Sequence, residues 1–368
     1  MKKVGIITFH NAHNYGAVLQ VYALQEKITE LGYETKVINY ENKKITRQYS
    51  LIKYSRKNPI KSIKLIYESV KDYKINKERF DKFENFITKN LRLTKKYKTI
   101  KQLKANPPDF DCYITGSDQV WNANIVGELS DAYTLNFGKE EVNRISYAAS
   151  IGIDKIEDKD KEQYAKKLEK IDKISVREES AASELRKILN KDVKVVLDPT
   201  LLIMQSDWDK RINCTENEEK YILAYMVEYN NECIDIINYL SEKTGLKVFS
   251  FNKEKIYKNE MKKAYTDDPF EFVNKIKNAE YVITTSFHAT VFSIIYHKRF
   301  FVVPHKKTGN RVTNLLEKFN LKDRVFNLFS DFRNTDYEKK IDYSLVDKII
   351  EKEREDATRF LTESIEQK

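Results

Sequence analysis

The chain of 368 residues contains little cysteine and no long apolar run. Its three cysteines, Cys112, Cys214 and Cys233, are far apart and form no CxxC pair. This pattern argues against a disulfide framework or a zinc site and fits a reducing compartment. No apolar run approaches the roughly 18 residues that a membrane-spanning helix needs. The apolar run after the N-terminal lysines is too short for a signal peptide, so we expect a cytoplasmic protein.

Glycine is also scarce, and the nine glycines form no phosphate-binding motif. The sequence contains no GxGxxG, which excludes the usual dinucleotide fingerprint, and no GxxxxGK[ST], which excludes a P-loop. No group of side chains has the spacing of metal ligands. We therefore expect neither a metal nor another cofactor.

Charged and aromatic residues are abundant. Hydrophobic residues make up 41% of the chain and aromatic residues 12%, which permits a large core and excludes wholesale disorder. The net charge is +10, but residues 43–104 contain 20 Lys and Arg against 5 Asp and Glu. This segment carries a local excess of +15, and the remainder carries −5. The basic pI therefore belongs to one segment and does not by itself indicate nucleic-acid binding.

The hydrophobic pattern predicts alternating strands and helices. Residues 4–7 form a buried apolar run, apolar residues recur at helical spacing over 21–31, and residues 35–40 predict a second strand. This βαβ opening predicts a parallel sheet with helices on both faces. The second half repeats the theme, with four strands predicted between residues 222 and 303. We expect an α/β fold of two Rossmann-like domains, with ligands bound in a cleft between them.

The expected N-terminal domain covers 1–197, the C-terminal domain covers 198–340, and a charged helix covers 341–368. The first boundary falls at Asp198, because the residue before a proline is disfavoured in a helix. The basic segment 43–104 is predicted to be a helical insertion of two amphipathic helices.

The first helix of the insertion has an apolar stripe that includes Tyr67 and Tyr73, and we predict that this stripe is core. The lysine-rich faces would then contact anionic membrane lipid or a lipid-linked acceptor, or they are ordinary solvated surface. A nucleic-acid-binding module is a third interpretation, but no nucleic-acid-binding motif supports it.

Polar loops follow two predicted strands of the first half. Asn11 and Asn14 follow the first strand, where they either bind a sugar or phosphate or act as turn and cap residues. Asp118 and Gln119 follow a strand over 112–115. They either hold sugar hydroxyls, with Trp121 stacking on the sugar ring, or belong to a helix cap.

In the second half, His288 follows a predicted strand and opens a helix. The positive potential at a helix N-terminus is expected to lower its pKa, and its polar neighbours make it the best general acid–base candidate. A structural histidine is the alternative interpretation. Arg177, Lys306, Lys307 and Arg311 also lie at predicted helix starts, where they suit an anionic ligand or are solvated surface charges.

Taken together, these motifs resemble the polysaccharide pyruvyl transferase family. The matching segments, in chain order, are GIITFHN (5–11), NYGAVLQ (14–20), GSDQVWN (116–122), YAAS (147–150), SVRE (175–178), DPT (198–200) and TSFH (285–288). The resemblance implies a GT-B-like fold. It also implies transfer of a pyruvyl group from phosphoenolpyruvate (PEP) to two hydroxyls of a sugar, which gives a cyclic ketal.

The family resemblance implies roles for several residues. His288 would be the general acid, and Arg177 matches a family arginine near PEP. Asp118 is the one carboxylate in the matched loops that suits a general base. The sequence departs from the family at Ser286, where characterised members often carry arginine, so Lys306, Lys307 or Arg311 would have to compensate.

The acceptor would be a nucleotide- or lipid-linked sugar of a surface-polysaccharide precursor. The alternative is a GT-B glycosyltransferase that uses a nucleotide-sugar donor.

Overall fold

The computed structural model describes residues 1–55, 58–212, 219–253, 255–304 and 309–367. The chain divides into two compact units. Unit 1 is Met1–Leu202 with Asp356–Lys368, and unit 2 is Ile203–Glu355. The C-terminal helix, which the sequence had led us to treat as a separate segment, therefore contributes residues to both units.

Eleven strands and fifteen helices are found in the described residues. The strands are β1 (Lys3–Ile7), β2 (Glu34–Val37), β3 (Cys112–Thr115), β4 (Asn143–Ser146), β5 (Ile174–Val176), β6 (Val193–Val195), β7 (Tyr221–Tyr225), β8 (Lys247–Ser250), β9 (Glu260–Lys263), β10 (Tyr281–Thr284) and β11 (Arg299–Val302). The helices are α1 (Tyr15–Glu30), α2 (Lys43–Thr46), α3 (Pro59–Lys71), α4 (Tyr73–Asn90), α5 (Ile100–Ala105), α6 (Ala123–Val126), α7 (Asp158–Leu168), α8 (Glu179–Leu189), α9 (Gln205–Arg211), α10 (Asn231–Thr244), α11 (Pro269–Asn278), α12 (Phe287–Ile295), α13 (Asn310–Lys318), α14 (Phe329–Arg333) and α15 (Tyr343–Glu366).

Unit 1 contains a four-stranded parallel sheet in the order β2-β1-β3-β4. In its register, Ile6 pairs with Val37 on one side and Ile114 on the other. β5 and β6 form a separate parallel pair. All four residues of β3 are buried, which explains why this strand is a continuous apolar run and not an alternating one. The predicted βαβ opening is confirmed.

Unit 2 contains a five-stranded parallel sheet in the order β11-β10-β7-β8-β9. Its central strand β7 pairs with both β8 and β10, as in a doubly wound sheet. Helix α11 starts with a capping box, in which Asp268 accepts from the backbone of Glu271 and Glu271 accepts from the backbone of Asp268. The predicted α/β class, with parallel sheets, a helical insertion and a long C-terminal helix, is confirmed.

The inserted helices α3 and α4 differ in whether their apolar side chains are buried. On α4, Phe83, Ile87 and the following Leu91 are buried. On α3, however, Tyr67 is 70% exposed, and Tyr73 at the start of α4 is 43% exposed. The prediction that this stripe is core is wrong, because α3 buries its opposite face. Over the described residues, none of these helices is both long and apolar enough to cross a membrane.

Candidate functional site

The first candidate site of unit 1 is the loop between β1 and α1. Asn14 is the N-cap of α1, and its Oδ1 accepts a hydrogen bond of 3.2 Å from the Ala17 amide. Asn11 is half-buried, and its Nδ2 donates to the Tyr40 carbonyl at 3.5 Å. Its Oδ1 is buried and has no hydrogen-bond partner within the described part of the chain. The capping role explains Asn14, whereas the amide oxygen of Asn11 suits a donor from a ligand.

Helix α4 of the insertion holds this loop in place. His13 Nε2 lies 2.8 Å from Glu84 Oε1, and the His13 ring stacks on Phe83 with centroids 5.3 Å apart. Arg79 Nη1 donates to the Tyr15 hydroxyl at 2.8 Å. The hydrogen bond from His13 lowers the pKa of Glu84. Arg79 and Glu84 could not be predicted from the sequence, because no spacing relates them to a loop more than sixty residues away.

His10 in the same loop is completely buried. Its ring nitrogens face the Thr8 carbonyl at 3.3 Å and Asn39 Oδ1 at 3.2 Å. Burial lowers the pKa of His10, and these two hydrogen bonds offset only part of that effect. His10 is therefore neutral in the folded protein under conditions where an unfolded chain would protonate it.

This buried histidine predicts a pH dependence of stability. Because the pKa of His10 is lowered by folding, the unfolded chain binds more protons below about pH 6.5, and stability falls as the pH falls. Replacing His10→Gln should remove up to about 1.4 kcal/mol per pH unit from this slope. Urea unfolding at pH values about one unit apart, from about 5 to about 8, measures this slope. A slope in the His10 variant equal to that of the parent protein would contradict the prediction.

The second site of unit 1 is the loop after β3. Asp118 is half-buried and has a positive φ of 83°, and its Oδ1 accepts from the Gln119 amide at 2.8 Å. Gln119 Oε1 accepts from Asn122 Nδ2 at 2.8 Å. Trp121 is fully buried, and its Nε1 donates to the Tyr133 carbonyl at 3.0 Å. The expectation that Trp121 stacks on a sugar is therefore wrong, because its indole is core.

Gly152 is packed directly against this loop. A Cβ at Gly152 would lie 2.1 Å from Gln119 Oε1 and 2.5 Å from Asn122 Nδ2. The residue also has a positive φ of 67°. Only glycine lets the backbone approach the Gln119–Asn122 pair so closely.

A matched pair of glycine variants tests this packing. Gly152→Ala and Gly245→Ala both place alanine at a φ near 70°, but nothing lies within 4 Å of a Cβ at Gly245. Both should lose about 1–2 kcal/mol through backbone strain. The first should lose about 1 kcal/mol more, because the Gln119–Asn122 hydrogen bond must break. Urea unfolding measures both variants, and equal losses would show that the contact is not tight.

The third site of unit 1 is a buried charge cluster at the ends of β5 and β6. Arg177 has a side chain that is 3% exposed. Its Nη1 donates to Asp198 Oδ2 at 3.0 Å, and its Nε donates to Glu178 Oε1 at 3.0 Å. The Ser117 hydroxyl also donates to Asp198 Oδ2, at 3.0 Å. Arg177 thus lies between two carboxylates and does not face solvent.

Electrostatics keep Arg177 charged despite its burial. Desolvation alone would lower the pKa of the guanidinium, but the carboxylates of Glu178, Asp198 and Asp118 outweigh it and raise that pKa. Asp198 Oδ1 also accepts from the amide and hydroxyl of Thr200, at 3.0 and 2.7 Å. The motifs around residues 117, 177 and 198 therefore form one hydrogen-bonded network.

In unit 2, the candidate site lies between β10 and α12. Ser286 is the N-cap of α12, and its Oγ accepts from the Ala289 amide at 3.4 Å. His288 lies in the first turn of this helix and is 8% exposed. Its ring contacts the Phe287 ring edge-on, with centroids 5.2 Å apart. The hydroxyl of Thr284 fixes the turn by donating to the Tyr225 carbonyl at 2.6 Å.

The predicted cations of unit 2 are only partly described. Arg311 is half-buried in the first turn of α13, as the sequence predicted. Lys306 and Lys307 lie outside the described residues. A helix N-terminus with an arginine in its first turn is suited to an anion.

Solved structures with a similar fold include a UDP-GlcNAc 2-epimerase and a protein solved with UDP. The UDP-GlcNAc 2-epimerase from Neisseria meningitidis has 11% identity, full coverage of both chains and a TM-score of 0.50. The S. aureus MnaA–UDP structure has 12% identity, coverage of 99% of this chain and 96% of that one, and a TM-score of 0.54. Spinosyn rhamnosyltransferase SpnG has 8% identity, full coverage of both chains and a TM-score of 0.47. The similarity to the first two structures shows that the fold is GT-B-like, as the sequence predicted.

The family model for polysaccharide pyruvyl transferase matches residues 14–307. The chain belongs to this family and is a transferase, which confirms the resemblance carried by the motifs. A comparison with curated proteins found no match.

Proposed function

We propose that the protein transfers a pyruvyl group from PEP to two hydroxyls of a sugar in a surface-polysaccharide precursor. The observation that carries this proposal is the family match over residues 14–307. In the reaction, a proton adds to the PEP methylene and makes C2 electrophilic. One sugar hydroxyl then adds to C2 and loses its proton, phosphate leaves, and a second hydroxyl closes the ketal and loses its proton.

In this proposal His288 is the general acid that protonates the methylene carbon. Its place in the first turn of α12, with only 8% exposure, gives a fixed and largely dry ring, which suits proton transfer in a transition state. Asp118 is the proposed base for a sugar hydroxyl. Its carboxylate is half-buried, and its backbone is fixed by bonds from Val120 and Ser150 to its carbonyl.

Cations would hold the carboxylate and phosphate of PEP. We assign Arg311, Lys306 and Arg177 to this task, with Ser286 at the position where many family members carry arginine. Arg311 is supported by its position at the start of α13. Arg177 is supported by a raised pKa that keeps it cationic, although Asp198 and Glu178 already pair with it.

The proposed sugar-binding residues are Asn11, Asn14 and Gln119. Asn11 is the best supported, because its buried Oδ1 lacks a hydrogen-bond donor among the described residues and a sugar hydroxyl would supply one. The acceptor sugar would be nucleotide- or lipid-linked. We place the reaction in the cytoplasm, where PEP would be available.

A nucleotide-sugar glycosyltransferase is the second candidate, because the S. aureus neighbour was solved with UDP. The two candidates differ in which ligand stabilises the protein. A ligand present at about 100 times its Kd stabilises by about 2.7 kcal/mol. Thermal unfolding with PEP or with UDP distinguishes them, since stabilisation by UDP alone would favour the second.

The direct test is phosphate release from PEP with a panel of nucleotide- and lipid-linked sugars. Release should require both protein and acceptor, and the acceptor should gain one pyruvyl group for each phosphate. Absence of release across a broad panel would argue against the proposal.

A further inference from the structure

Helix α3 has most of its apolar side chains on the solvent side, whereas its serines and the half-buried Leu65 lie on the protein side. Ile60, Ile63 and Val70 are 82%, 70% and 60% exposed, whereas Ser69 is 5% exposed. The Ser69 hydroxyl accepts from the Lys53 amide at 3.0 Å, which fixes the serine face against the preceding segment. The usual amphipathic arrangement of a surface helix is therefore reversed.

These exposed side chains form one stripe, which we call the α3 stripe. At 100° per residue, its members fall within about a third of the helix circumference. They are Ile60, Ile63, Ile66, Tyr67 and Val70. Ile52, Tyr54 and Tyr73 add exposed apolar groups from the flanking residues. Residues 52–73 therefore hold 8 of the 14 large hydrophobic side chains that are exposed in the described parts of the chain, so the clustering is not the scattered exposure of an ordinary surface.

Basic side chains border the α3 stripe. Lys64 and Lys71 follow directly beside it on the helix surface, and Lys61 lies further round on the same side; all three are exposed. Glu68 is the one acidic residue of α3. The helix lies in the segment 43–104, which carries an excess of +15. An occupant of this face must therefore accept apolar side chains and carry negative charge.

We propose that the α3 stripe inserts at the boundary between the headgroups and the acyl chains of a bilayer that contains anionic lipids. A second copy of the chain is a poorer occupant, because it would bring two strongly basic segments together. An anionic bilayer instead offers an apolar layer for isoleucine and valine, an interfacial level for tyrosine, and phosphates for the bordering lysines. The proposal does not depend on the reaction that the protein catalyses.

Sedimentation with vesicles tests the proposal. Full-length protein should sediment with phosphatidylcholine vesicles that contain phosphatidylglycerol and stay in solution with pure phosphatidylcholine. The variant Ile60→Ser, Ile63→Ser, Tyr67→Ser should bind at least about tenfold more weakly, because it loses most of the inserted area. The variant Lys61→Glu, Lys64→Glu, Lys71→Glu should weaken binding by a similar factor.

Matched controls carry the same changes elsewhere. Val227→Ser, Tyr229→Ser, Leu328→Ser replaces three hydrophobic residues that are 54%, 71% and 52% exposed. Lys139→Glu, Lys159→Glu, Lys210→Glu replaces three lysines whose side chains are each 73% exposed. Both controls should bind like the parent protein. Absence of binding by the parent, or equal losses in test and control variants, would overturn the proposal.

Insertion can be separated from surface adsorption by fluorescence. Trp121 and Trp208 are fully buried, so Tyr67→Trp places the one exposed indole on the α3 stripe. Lipids with brominated acyl chains should quench this indole and not one introduced by Tyr229→Trp. Binding without quenching would show adsorption by charge alone and contradict insertion.

Light scattering tests the other occupant, a second copy of the chain. A dimer that the α3 serine variant converts to monomer would identify a second copy as the occupant and overturn the proposal.

Discussion

Replacing His288→Ala is expected to reduce PEP-dependent phosphate release by a factor of about 10² to 10⁴, the usual contribution of a general acid. The imidazole would act on the PEP methylene only in the transition state. We therefore expect kcat to fall while the KM for PEP stays within a factor of about three. Initial rates over a range of PEP concentrations measure both constants.

Two controls separate this loss from misfolding. His297 also lies in unit 2, but its side chain is 42% exposed and pairs with Asp347 at 2.9 Å. His297→Ala should keep full activity. His288→Gln keeps most of the buried volume, so it should retain the parent's thermal unfolding midpoint while losing the activity. If both His288 variants kept activity within a factor of about two of the parent, His288 would not be the general acid.

Replacing Asp198→Ala is expected to lower the free energy of unfolding by about 3–5 kcal/mol. The change removes a carboxylate that pairs with the buried guanidinium of Arg177, and it removes the acceptor that Ser117 and Thr200 share. Urea unfolding measures the loss. Where the alanine variant is too unstable to purify, Asp198→Asn keeps the side-chain shape and should still lose about 2 kcal/mol or more.

The control is an ion pair at the surface of the other unit. Lys247 and Glu219 lie 3.0 Å apart, with side chains 54% and 49% exposed. Glu219→Ala should change the free energy of unfolding by less than about 1 kcal/mol, because solvent already screens this pair. Similar losses in the Asp198 and Glu219 variants would mean that the buried network does not contribute the stability we assign to it.

Sequence patterns predicted the parts of the fold that rest on continuous apolar runs. The bounds of β3 were predicted to the residue, because this strand is buried along its whole length. Strand β9 was missed, because it is an edge strand with the sequence EMKK and has no apolar run to reveal it. Helical spacing also located the apolar stripe on α3. It could not show which face of the helix packs against the rest of the protein.

The candidate sites were predictable only in outline. The loops at Asn14, Asp118, Arg177 and His288 were located correctly after strands, because polar residues there interrupt an apolar pattern. Their contacts were not predictable. Asp198 reaches Arg177 across 21 positions of sequence, and no spacing rule relates the two. Trp121 is a residue of the type that stacks on sugar rings, but its side chain is fully buried. Only the packing of the unit shows this burial.

Formation of a pyruvate ketal from PEP can be followed atom by atom. The most direct measurement follows PEP labelled with ¹³C at C2 in D₂O, with NMR of both phosphate and the acceptor sugar. We expect the label to move to a ketal carbon on the acceptor, with one inorganic phosphate per ketal and one deuterium in the new methyl group. Sugar transfer from a nucleotide donor, with PEP unconsumed and no labelled acceptor, would contradict it.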